Sequence, residues 1–194
     1  MIPAKLTLSP AQRECLLNPG FILTKLAVQE KMVALMAALS AQYQASIPES
    51  FRGEPWVLTG PKIARGEQYE QLPWVMLDYP RYFTREQVLA IRCFCWWGNY
   101  ASITLQLSGS YMDRYRPAVE AFWQTAEAKD WYWGVGENAW IHDLNSKAYL
   151  PWPAQEDRSQ QGWLKIAKKI PLEQWDLLPD WYPAQYRLLM DLLQ

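Results

Sequence analysis

Residues 88–108, VLAIRCFCWWGNYASITLQLS, restrict the fold more than any other stretch of the chain. In the second half, Ala101, Ile103, Leu105 and Leu107 alternate with Ser102, Thr104, Gln106 and Ser108. This period of two marks a strand with one apolar and one polar face. In the first half, Leu89, Ile91, Cys93, Cys95 and Trp97 share one face, and Ala90, Arg92, Phe94 and Trp96 the other. Gly98-Asn99 between the runs signals a hairpin. Loop length then decides which faces join, because a slip of one residue turns every side chain over. A two-residue loop, Gly98-Asn99, pairs Cys95 with Ser102. A three-residue loop, Gly98 to Tyr100, pairs Cys95 with Ile103 and leaves Arg92 beside Gln106. The longer loop is preferred because it keeps the apolar rows together.

The remaining elements group around this hairpin. Ser9-Pro10 is a helix start, an N-cap serine with proline at the first helical position, and the helix is expected to end near Leu17. After Asn18-Pro19-Gly20, two apolar rows run from Phe21 to about Ala45: Ile22, Leu26, Val33, Met36 and Tyr43, beside Phe21, Val28, Met32, Leu35 and Leu39. The wide stripe predicts a long helix largely packed against the rest. Residues 46–62 form a Pro/Gly-rich loop with at most a short strand at Trp56–Thr59. Lys62–Arg65 is a short strand, and Trp74–Tyr79 is a strand stopped by Pro80. Thr84–Gln87 has the capping-box pattern of one helical turn. A helix follows from Met112 to Ala128, then short strands within 131–153, and a polar loop at 156–162. Trp163–Ile170 alternates Leu164, Ile166 and Lys168 against Lys165, Ala167 and Lys169, the pattern of an edge strand guarded by lysines. A last helix begins at Pro179 or Tyr182 and ends at Leu193. The expected fold is a single α+β domain over 1–194. An antiparallel sheet with a central meander is packed by the long N-terminal helix, the middle helix and the C-terminal helix.

Several function classes are disfavoured. The 19 basic and 20 acidic residues give a net charge of −1, so no basic excess exists to neutralise phosphates, and nucleic acid is not an expected partner. The most apolar stretch, Phe21–Leu39, is interrupted by Lys25, Gln29, Glu30 and Lys31, so no membrane span is expected. The start of the chain has no signal-peptide pattern, and three sparse cysteines fit reduced thiols, which together predict a cytoplasmic protein. Cys93 and Cys95 lie on one strand face but lack the further ligands and the spacing of a zinc or redox site, so they read as small buried hydrophobes. His142 beside Asp143 offers a base–carboxylate pair, yet no motif marks a nucleophile, and a structural role is preferred. No phosphate-binding glycine loop occurs. Glu67, Asp78, Asp113 and Glu137 show no pairing pattern suited to glycoside hydrolysis. No metal or cofactor is expected.

The meander points to one region. It brings the end of its first strand, the start of the second and the end of the third together, so Asp78, Arg81 and Arg85 should meet Ser108-Gly109-Ser110 where a helix begins. Arg92 lies one pleat inward. The candidate ligand-binding set is Asp78, Arg81, Arg92, Trp96, Gln106, Ser108 and Ser110. With 12 Trp and 11 Tyr, the first expectation is a soluble intracellular binding or interaction protein with an aromatic-rich pocket or face. The alternative is a small enzyme acting on an anionic metabolite, a carboxylate or phosphate, at the 78–85/108–116 sheet edge. Expected partners are a small anionic ligand, a protein, or a second copy in a homodimer.

The segment LPWVMLDYPRYF and the following IRCFCWWGNYASITLQLSG, within residues 72–109, resemble a family of hypothetical bacterial proteins with no assigned activity. The resemblance covers about a fifth of the chain. It implies a discrete domain and a bacterial source, and it supplies no catalytic residues.

Overall fold

The computed structural model describes residues 3–154 and 161–194, so most of the polar loop expected at 156–162 lies outside the described residues. The architecture is α+β. Strands β1 (Lys62–Tyr69), β2 (Leu72–Phe83), β3 (Val88–Trp96), β4 (Tyr100–Ser108), β5 (Trp131–Gly134), β6 (Tyr149–Pro151) and β7 (Trp163–Pro171) form one antiparallel sheet in the order β1-β2-β3-β4-β7-β5-β6. The helices are α1 (Pro10–Leu17), α2 (Pro19–Ala45), the single turn α3 (Pro55–Leu58), α4 (Ser110–Trp123) and α5 (Leu178–Asp191). No helix among the described residues is long and apolar enough to cross a membrane.

The expected meander is β2-β3-β4, with three differences from the sequence reading. The hairpin loop is three residues long but begins at Trp97, so Trp96 pairs with Tyr100, Cys95 with Ala101 and Cys93 with Ile103. The shift from the expected register is two residues. It therefore preserves the faces and places Arg92 opposite Thr104 instead of Gln106. β2 does not stop at Pro80; it continues to Phe83 across a register irregularity between Asp78 and Arg81. Thr84–Gln87 makes no helical turn. Thr84 Oγ1 instead accepts from the Glu86 and Gln87 amides and closes the β2–β3 connection. Trp56 belongs to α3, whose proline at the first position favours helix over strand.

The largest correction concerns β7. It lies between β4 and β5, in the sheet interior, and its lysines do not guard an edge. Lys165 has 0% exposure, while Lys168 sits over the Trp131 ring and Lys169 over Tyr100 and Tyr132. Lys168 and Lys169 are half-buried and lay their heads over ring faces.

One face of the sheet carries the main core. Cys93 and Cys95, both at 0% exposure, point toward the helices. Tyr43 of α2 lies with its hydroxyl 3.4 Å from Cys93 Sγ, and Tyr182 of α5 with its hydroxyl 3.5 Å from Cys95 Sγ. Tyr182 also donates to the Phe94 carbonyl at 3.1 Å. Tyr43 stacks on Tyr186 with centroids 3.6 Å apart and planes 4° apart. Burial raises both thiols, Cys95 to about 11, so neither is a ready nucleophile.

The opposite face holds a smaller aromatic core of Phe94, Trp96, Tyr100, Leu144 and Tyr149 around Ala167. It is covered by the loop between β5 and β6. Of the Trp and Tyr residues, only Trp140 in this loop ranks as exposed, at 52%. Most rings are thus spent on packing; partly exposed ones lie at this second face and, as Trp97 and Trp175, beside α2.

The long helix departs from expectation at its start. Met32, Met36, Leu39 and Tyr43 are buried against the sheet and α5, but Phe21, Ile22, Leu23 and Leu26 are exposed, as is all of α1.

Candidate functional site

A slot of about 440 Å³ opens on the second face, between the β1–β2 edge and the loop at 139–142. β3 contributes Phe94; β2 contributes Trp74 and Met76; Tyr69 of β1 and Trp140 and His142 of the loop complete the aromatic lining, with Glu67 and Gln68 also facing it. The rings are mutually braced: Phe94 and His142 have centroids 5.3 Å apart, Tyr69 and His142 5.7 Å, Trp74 and Phe94 6.0 Å. Gly66 is required by Trp74. A Cβ at that position would lie 2.8 Å from three atoms of the indole, so any side chain displaces the ring from the slot wall.

The loop that carries His142 is tied to the sheet at Ala139, Ile141, His142 and Leu144. Lys165 Nζ donates to the carbonyls of Ala139 (2.9 Å) and Ile141 (2.7 Å). Tyr149 also donates to the Ile141 carbonyl at 2.8 Å. Tyr69 accepts from the His142 amide at 2.8 Å. Tyr100 donates to the His142 carbonyl at 3.0 Å and accepts from the Leu144 amide at 2.7 Å. One lysine and three tyrosines from four strands therefore satisfy the loop backbone that burial takes from water. Asp143 does not orient the imidazole. Its carboxylate accepts from the Asn145 amide at 2.9 Å in a local turn, so the sequence neighbours His142 and Asp143 form no base–carboxylate pair.

Behind the slot lies a buried polar row. Arg92 grips Asp78 in bidentate fashion, Nε to Oδ1 at 2.7 Å and Nη2 to Oδ2 at 3.0 Å. These two residues are 7% and 3% exposed. The remaining guanidinium nitrogen, Nη1, donates to His142 Nε2 at 2.9 Å. Arginine has no acceptor, so Nε2 is the acceptor and the neutral ring carries its proton on Nδ1. No protein acceptor among the described residues lies within hydrogen-bond distance of Nδ1. Burial, with Lys165 and Arg92 nearby, pushes the imidazole down to about 2, so it is neutral throughout the physiological range. Burial first and Arg92 second lower Lys165 to about 7. A neutral Lys165 amine still has two N–H donors for its two carbonyls.

The sequence-derived candidates divide into three places. Asp78 and Arg92 meet each other directly, with Thr104 beside Arg92 and Gln106 opposite Lys165 on the same buried face. Arg81, Ser108 and Ser110 lie at the expected sheet end, but Arg81 Nε donates to the Gly60 carbonyl at 2.8 Å and Ser110 Oγ to Gln87 Oε1 at 3.0 Å. Trp96 lies at the opposite end of β3, packed against Tyr69 and Tyr100. The seven residues therefore do not converge on one opening. Sequence reasoning offers Asp143 as the partner of His142 and takes Lys165 for an edge lysine, and it misses the straps Tyr69, Tyr100 and Tyr149. The one signal was Ala167 on the lysine face of β7, a small apolar residue where a solvated face would carry a polar one. No group of His, Cys, Asp and Glu suited to holding a metal ion occurs among the described residues.

No family model matches the chain, and neither a curated protein nor a solved structure matches it.

Proposed function

We propose that the protein binds a small planar ligand in the aromatic slot, with a hydrogen-bond acceptor of the ligand set against His142 Nδ1–H. The observation that carries this reading is the arrangement at His142. Its ring lines the slot, Arg92 occupies its other nitrogen, and its donor has no acceptor among the described residues. A volume of about 440 Å³ lies within the range of small-molecule sites, which are mostly apolar with a few fixed polar groups. Trp74, Phe94 and Trp140 offer faces for stacking. The strapped loop holds the donor in place before the ligand arrives, which reduces the ordering cost of binding.

A second reading, a small enzyme acting on an anionic metabolite, draws on a charge imbalance: among the described residues Arg92 and Lys165 are buried against a single buried carboxylate, Asp78. Both cations are occupied by protein acceptors, which favours the binding reading.

Thermal shift and tryptophan fluorescence with four probes separate these. On the binding reading, 2-naphthoate, planar with an acceptor, raises the melting midpoint, while naphthalene binds weakly and cyclohexanecarboxylate not at all. Equal binding of cyclohexanecarboxylate and inorganic phosphate supports the anion reading instead, and no response to any probe removes the first.

A further inference from the structure

Apolar residues surround α2 on all sides, the pattern of a helix covered by protein around its circumference. The domain covers only one side of its C-terminal half. At the other end Leu16, Leu17, Phe21, Ile22, Leu23 and Leu26 are all exposed, Leu17 by 71% and Leu23 by 65%. This N-terminal end is held to the sheet by polar contacts, Lys25 Nζ to Glu67 at 2.7 Å and Gln29 Nε2 to Glu67 at 3.3 Å.

The outward side of α2 has a regular seam. Leu23, Ala27, Glu30, Ala34, Ala37 and Ala41 follow one another at alternating spacings of four and three, and all six are exposed. That spacing keeps one stripe facing a neighbouring helix along its whole length. The alanines allow the two backbones to approach closely.

We infer that this face is the interface of an antiparallel, twofold dimer formed with a second copy of the chain. Leu23 and the exposed alanines give the seam its apolar surface, with Leu26 beside it. Charge sets the direction. A parallel pairing stacks Glu30 on Glu30 in the seam. An antiparallel pairing centred near Met32 puts Glu30 opposite Ala34 of the second copy, within a turn of its Lys31. Among the described residues neither Glu30 nor Lys31 makes an ion pair within its own chain. A membrane surface fits less well, because the arm mixes Arg13, Lys25 and Lys31 with Glu14 and Glu30 and presents no cationic face.

Sedimentation velocity on the full chain across a hundredfold concentration range tests this. The wild type is expected to dimerise. Ala34→Glu, at a position exposed in the monomer, should weaken the dimer at least a hundredfold while leaving the circular dichroism spectrum intact. Glu30→Lys should weaken it, and the double variant Glu30→Lys/Lys31→Glu should restore it. Cys15 is exposed while Cys93 and Cys95 are buried, so spin labels attach there selectively. With α2 about 40 Å long at 1.5 Å per residue, antiparallel copies hold the two labels more than about 35 Å apart. A monomer at every concentration, a dimer indifferent to Ala34→Glu, a short label distance, or a monomer that binds phosphatidylcholine/phosphatidylserine vesicles would each overturn the inference.

Discussion

Arg92 Nη1 donates to His142 Nε2 across 2.9 Å, joining a central strand to a loop fifty residues further along the chain. Asp78 fixes the other side of the same guanidinium. The three residues form a chain in which a buried carboxylate orients a buried arginine, and the arginine selects the tautomer of the histidine at the slot. The second face of the sheet therefore tolerates charge because each polar group answers the next.

Removing one member of the buried pair leaves its partner uncompensated. Asp78→Ala is expected to cost about 3–5 kcal/mol of stability, measured by urea denaturation. Replacing both, as Asp78→Leu with Arg92→Met, should cost much less, because apolar substitution of a whole buried pair is often close to neutral. Equal losses in the single and double variants would show that packing, not charge, dominates there.

His142 should make stability fall in acid. Its folded-state value of about 2 is below the ordinary 6.5, so the unfolded chain binds more protons between those limits. Stability is then lost as pH drops from about 6.5 toward 2. His142→Asn should flatten this limb in denaturation curves taken at successive pH values. The chain has a single histidine, so ¹⁵N ring resonances report it without overlap. They should show one Nδ1–H tautomer that does not titrate between pH 4 and 8.

Lys165 acts in the alkaline range with the same sign. Its folded-state value, about 7, lies below the ordinary 10.5, so the folded protein binds fewer protons between pH 7 and 10.5 and gains stability as pH rises through that window. The slope of unfolding free energy against pH should be positive in the wild type there and smaller in Lys165→Met. The same substitution removes two bonds to the 139–141 backbone, so amide exchange in that loop should quicken.

Much of this fold was legible in sequence because it rests on local periodicity. The alternation in 101–108 announced β4, Ser9-Pro10 and Asn18-Pro19 announced two helix starts, and the meander followed from short connections. What was not legible depends on neighbours distant in sequence. The lysines of β7 look like edge protection until β5 pairs on the far side. Two equally apolar rows in α2 do not reveal which half the domain covers. The hairpin register moved by two residues because Trp97 entered the turn, a change that preserves the faces and so leaves no apolar signature. Asp78 and Arg92 lie on adjacent strands of the meander and pair with each other, whereas His142 and its tyrosine straps meet through a loop with no periodicity at all.

On the proposed function, His142 presents a donor to a ligand held between aromatic walls. The most direct measurement is a titration of ¹⁵N-labelled protein with 2-naphthoate, following the ring nitrogens of the sole histidine, in wild type, Trp140→Ala and His142→Phe. The expected result is a saturable shift at Nδ1, affinity reduced about tenfold in Trp140→Ala through loss of about 1.4 kcal/mol of ring contact, and greater loss in His142→Phe. A histidine whose nitrogens stay unmoved while the probe binds, or binding undiminished in both variants, would contradict it.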